Sequence, residues 1–108
     1  MLELKIAVTV RDGKQMEFFQ TLDSLVKLYR KEEGCLSYEY EFDATNVNEC
    51  RITATWETGA QLEQHFRGAN FTVLLGAMQL LCSRQKVEII DGDRVMGMEF
   101  VQAAREKS

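Results

Sequence analysis

The chain has 108 residues, 45% of them hydrophobic, with thirteen basic and seventeen acidic side chains and a net charge of −4. That length makes one domain able to bury roughly 60–70% of its unfolded surface. The basic residues are scattered rather than gathered on one segment, which excludes the electrostatic footprint of a nucleic-acid binder.

The N-terminal segment alternates Leu2, Leu4, Ile6, Val8 and Val10 with Glu3, Lys5, Ala7, Thr9 and Arg11. This is the period of a strand buried on one face, not the continuous apolar core of a signal peptide, so the expected location is cytoplasmic. Asp12 followed by Gln15 reads as a helix cap. Phe18, Phe19, Leu22, Leu25, Val26 and Tyr29 then recur at three and four residues, predicting an amphipathic helix that Glu33-Gly34 ends.

A second strand places Leu36, Tyr38, Tyr40 and Phe42 on one face, and Cys35, Ser37, Glu39 and Glu41 on the other. Turn formers fill positions 43–48. A third strand alternates Ile52, Ala54 and Trp56 with Arg51, Thr53, Thr55 and Glu57. Thr58 with Gln61 forms a capping box that opens a short helix to about Phe66, and Gly68 interrupts it. A further helical piece from Phe71 carries Leu74, Leu75, Met78 and Leu81 on one side. Its apolar run, Phe71 to Cys82, contains Thr72 and Gln79 and is too short to cross a bilayer. The fourth strand runs from Gln85 to Ile90 and closes at Asp91-Gly92-Asp93.

The order strand, helix, strand, strand, helix, strand predicts an α+β, ferredoxin-like βαββαβ domain. Its four-stranded antiparallel sheet would carry the helices on one face. The whole chain, 1–108, reads as one domain with a core of about 1–93. The tail 94–108, with Val95, Met96, Met98, Phe100 and Val101, is too apolar to hang free and is expected to dock. Cys35, Cys50 and Cys82 lack any CxxC spacing and read as free thiols. With a single histidine, no metal site is expected.

The stretch Gly34-Cys35-Leu36-Ser37-Tyr38, then Trp56-Glu57, Leu62, His65, Phe71 and the apolar helix after it, resembles the antibiotic biosynthesis monooxygenase superfamily. The resemblance implies a ferredoxin-like subunit that pairs sheet against sheet as a homodimer, a dimeric α+β barrel, with a pocket between sheet and helices in each subunit. It also implies a small aromatic ligand and chemistry without a cofactor. The family includes cofactor-free monooxygenases of quinols and anthrones, haem-degrading enzymes and an isomerase. Where the family pattern has a second histidine this chain has Asn70. Where the haem-degrading branch has its axial histidine this chain has Leu75, and that branch has tryptophan in place of His65. Haem degradation is therefore set aside.

His65 is either a buried histidine bonded to a neighbour or a base facing the pocket. Ionising a phenol of pKa near 10 at pH 7 costs about 4 kcal/mol. An imidazole, ordinarily titrating near 6.5, suits that proton abstraction, after which the electron-rich substrate reacts with dioxygen. Trp56 and Phe71 read as core or as walls for a planar substrate. Tyr38 and Tyr40 read as core or as hydroxyl donors to the pocket. Asn70 either bonds an oxyanion or caps the helix at Phe71. Three functions remain open on this reading: oxidation of a quinol or polyketide-like phenol, isomerisation of a small metabolite, and ligand binding without chemistry.

Overall fold

The computed structural model describes residues 1–107. Strand β1 (Leu2–Val10) buries every second side chain, as its alternation requires. Helix α1 (Gln15–Tyr29) follows, then β2 (Cys35–Phe42), β3 (Glu49–Trp56), α2 (Gly59–Arg67), α3 (Ala69–Leu81), β4 (Cys82–Asp91), β5 (Arg94–Met96) and α4 (Met98–Glu106). The sheet order is β2-β3-β1-β4-β5 with every neighbouring pair antiparallel. Ile6 lies opposite both Ile52 and Val87 in the central register. The inner face, with Leu4, Ile6, Ile52 and Ile89, forms one core with Phe18, Leu22, Val26, Phe66, Leu74 and Met78 of the helices. The outer face presents Glu3, Lys5, Arg51, Thr53 and Lys86 to solvent.

The ferredoxin-like α+β expectation holds, with one strand more than the four expected. Residues 94–96 form β5, pairing Val95 with Ile90 and Arg94 with Asp91 across a two-residue hairpin at Gly92-Asp93. Three residues are too few for an alternating pattern to show in sequence. The rest of the apolar tail is α4, which buries Val101 and Ala104 and packs Phe100 edge-on to Phe66 at 6.0 Å. Arg105 donates to the carbonyl of Phe66 at 2.7 Å and to Thr72 Oγ1 at 3.0 Å, tying α4 to the α2–α3 junction.

Three local expectations are corrected. Leu36 is 55% exposed rather than inward-facing. A bulge between Cys35 and Ser37 makes it an extra residue, so that Cys35 lies opposite Trp56 and Tyr38 opposite Ala54, both turned inward. Asp12 does not cap α1. That helix begins after Lys14 with no side-chain cap, and Asp12 accepts instead from Asn48 Nδ2 at 2.6 Å. Asn70 does not cap α3 either, because the helix starts at Ala69 and Asn70 lies inside its first turn. The Thr58 cap is present: its Oγ1 accepts from the Gln61 amide at 3.2 Å.

Candidate functional site

His65 stands on the inner face of α2 with Leu62 and Phe66. The spacing of three and four residues stacks these side chains on one stripe. The Thr58 cap fixes where that stripe begins. The result is an imidazole 1% exposed. A buried polar ring needs partners for both nitrogens, and it has them. Nε2 lies 3.0 Å from the hydroxyl of Tyr38, and Nδ1 lies 2.9 Å from Oε1 of Glu32.

Rings enclose this pair of bonds. Trp56 is tilted against the imidazole, with centroids 4.7 Å apart and planes 30° apart. Tyr29 stands edge-on at 4.6 Å and Phe71 at 5.0 Å. Tyr29 anchors itself by donating to the carbonyl of Asn70 at 2.8 Å, which links α1 to the first turn of α3. The indole Nε1 of Trp56 is buried with no hydrogen-bond partner among the described residues. An orphaned donor of that kind costs about 1–3 kcal/mol, and a ligand oxygen would satisfy it.

Burial holds the Tyr38 hydroxyl well above the usual phenol range, with the nearby Tyr29 and Glu32 adding to it. Burial and then Glu32 also raise Tyr29. Both hydroxyls therefore remain protonated at neutral pH and act as donors. Glu32 sits in the turn between α1 and β2. Its amide donates to the carbonyl of Tyr29 and its carbonyl accepts from the amide of Cys35. Gly34 makes that turn at φ +88°, and a Cβ there would stand 2.1 Å from Oε1 of Gln61. Glycine is required on both counts.

Outside Glu32 opens a groove of about 720 Å³ lined by Glu32, Glu33, Gln61, Glu63, Arg67 and Lys107, among others. Glu63 is paired there with Lys107 and lies 4.0 Å from Arg67.

The residues singled out from sequence divide in two. His65, Trp56, Tyr38 and Phe71 come together. Tyr40 and Asn70 do not join them. The hydroxyl of Tyr40 donates to Asp23 at 2.7 Å and its ring packs edge-on to Phe19. That bond holds the Asp23 carboxyl below its ordinary range, and burial with the same bond pushes Tyr40 up to about 12. Asn70 keeps its side chain exposed and contributes its backbone carbonyl. Glu32 and Tyr29 were missed. Glu32 lies in the charged run Lys31-Glu32-Glu33, which resembles any solvated helix end. Its one signal is its place beside the Gly34 turn that leads into β2. No group of three or more histidine, cysteine, aspartate or glutamate side chains poised for a metal is present among the described residues.

The segment that carries this site also matches known proteins. The family model described as antibiotic biosynthesis monooxygenase matches residues 1–74, a span that includes Glu32, Tyr38, Trp56, His65 and Phe71. An uncharacterized protein of Synechocystis is 30% identical over 64 residues, 59% of this chain, and the match spans 44% of that relative's length. A conserved protein from Bacteroides thetaiotaomicron, described as a possible oxidoreductase, superposes with a TM-score of 0.77 at 26% identity, covering 82% of this chain and 94% of its own. A crystal structure of an antibiotic biosynthesis monooxygenase superposes with a TM-score of 0.79 at 20% identity, covering 87% of this chain and 100% of its own, and shows the shared fold. The chain belongs to the antibiotic biosynthesis monooxygenase family.

Proposed function

We propose that the chain oxidises a small aromatic quinol or polyketide-like phenol with dioxygen, using no metal or flavin, and that His65 is the base. The observation that carries this reading is the chain of hydrogen bonds Tyr38–His65–Glu32, walled by Trp56, Tyr29 and Phe71. The aromatic rings suit a planar substrate, and the orphaned Trp56 Nε1 supplies a donor for its oxygen. Removing a proton from such a substrate leaves an electron-rich anion that itself reduces dioxygen. For an anthrone, the ring methylene and one dioxygen become a ring carbonyl and one water. One oxygen atom enters the product, the other leaves as water with both methylene hydrogens, and all four electrons come from the substrate carbon. The work left to the protein is proton transfer and orientation.

All these rings are buried, so binding of a substrate among them requires the rings to part. The family resemblance adds a homodimer formed through the outer sheet face.

A second reading follows from the same burial. Both imidazole nitrogens are already bonded, which favours a binding dimer whose histidine network is structural. Proton transfer at His65 would equally serve an isomerase, which would turn over without oxygen. Oxygen uptake on a panel of reduced naphthoquinols and anthrones, measured above autoxidation and beside His65→Ala, separates the three. Uptake lost in the variant supports the oxygenase. Turnover under nitrogen identifies the isomerase. An aromatic that binds and leaves unchanged in air identifies the binding dimer.

A further inference from the structure

Glu32 Oε1 lies 2.9 Å from His65 Nδ1, its side chain 31% exposed against 0% for the histidine. An ionised carboxylate only accepts hydrogen bonds, so Nδ1 is the nitrogen that carries hydrogen. In the neutral ring Nε2 is then an acceptor, and the Tyr38 hydroxyl, 3.0 Å away, donates to it. The opposite tautomer would set a lone pair against the carboxylate and leave the Tyr38 hydrogen without its acceptor.

Resting on the functional reading above, we infer that Glu32 is a positioning residue that selects the Nδ1–H tautomer of His65 and links the buried imidazole to the open groove. Of the carboxylates lining the groove, Glu32, Glu33 and Glu63, Glu32 is the one bonded to the ring. Glu63 is occupied by Lys107 and faces Arg67, whereas Glu32 reaches the ring. A proton leaving a substrate oxygen passes to the Tyr38 oxygen as the Tyr38 hydrogen passes to Nε2, so no free phenolate forms. The imidazolium is stabilised by Glu32, and Nε2 then returns its hydrogen to Tyr38 as Tyr38 hands one to the departing oxygen, which restores the Nδ1–H ring. The balance is one proton in and one proton out, with no change in oxidation state.

His65 is the single histidine, so a long-range proton–nitrogen correlation spectrum of the ¹⁵N-labelled full chain shows one imidazole. The spectrum is recorded without substrate from neutral to alkaline pH. The expected result is a protonated-type Nδ1 and an unprotonated-type Nε2 in the native chain. Glu32→Gln keeps that pattern, because its amide oxygen still accepts, and Glu32→Ala shifts it toward Nε2–H. An Nε2–H ring in the native chain would overturn the inference, as would a ring doubly protonated throughout, or an unchanged pattern in Glu32→Ala. Should Glu32→Ala not fold, Tyr38→Phe decides instead: the Nδ1–H pattern persists if Glu32 selects it and is lost if the Tyr38 hydroxyl does. Because no substrate is involved, this result stands apart from whether the chain oxidises anything.

Discussion

The site depends on a few polar atoms placed among apolar ones. Replacing His65 with alanine removes the proposed base and leaves Tyr38 with its hydroxyl buried and unpaired. The expected outcome is a loss of roughly 10²–10⁴ in turnover together with a stability loss of about 1–3 kcal/mol for the orphaned group, read from oxygen uptake and urea titration. Tyr38→Phe tests the same bond from its other side. It keeps the ring among Tyr29 and Trp56 and strips Nε2 of its donor, so the stability loss should again be about 1–3 kcal/mol. Unchanged stability in Tyr38→Phe would mean that the hydroxyl bond contributes nothing. His65, Trp56, Tyr38 and Phe71 were legible as residues because strand alternation and the helical stripe both point them inward. Glu32 was not, since no spacing in sequence ties a turn carboxylate to a helix 33 residues away.

Among the elements, the turn after α1 and the bulge in β2 position the site. Gly34 holds φ +88° with Gln61 packed over it. A side chain in that conformation costs about 1–2 kcal/mol before any clash, so Gly34→Ala should lower the unfolding midpoint and displace Glu32. A variant as stable as the native chain would contradict this account of the turn. The bulge at Leu36 explains why a strict alternation through β2 misplaced that residue. One extra residue inverts every side chain before it, and composition alone does not mark where a strand bulges. The tail was not legible as β5 and α4. A three-residue strand has no period to read, and α4 is recognised by what it covers: Phe66 and the α2–α3 junction.

At the scale of the molecule, burial sets a pH dependence. Burial raises the thiols of Cys50 and Cys82 to about 12 and about 11 from an ordinary value near 9, and raises Tyr38 as well. The folded chain therefore holds these protons to higher pH than the unfolded chain. Their contribution is complete below about pH 9 and is lost as pH rises through the folded values. Urea titrations at pH 8 and pH 10.5 should show lower stability at the higher pH, and equal stability would contradict the burial of these groups. No helix among the described residues is long and apolar enough to cross a membrane. The outer sheet face, with Lys5, Arg51 and Lys86 exposed beside Glu3 and Glu41, is the surface proposed for pairing. Sedimentation at micromolar concentration should give twice the chain mass, and a single-chain mass would remove the dimer from the proposal.

The central claim is that a substrate supplies the electrons and His65 takes the proton. It is tested most directly by incubating the native chain and His65→Ala with a reduced anthrone under ¹⁸O-labelled dioxygen and following the mass of the oxidised product. The account predicts one labelled oxygen per product molecule, formed by the native chain well above the autoxidation rate and by His65→Ala at that background rate. Labelled product formed equally fast by both proteins would contradict it.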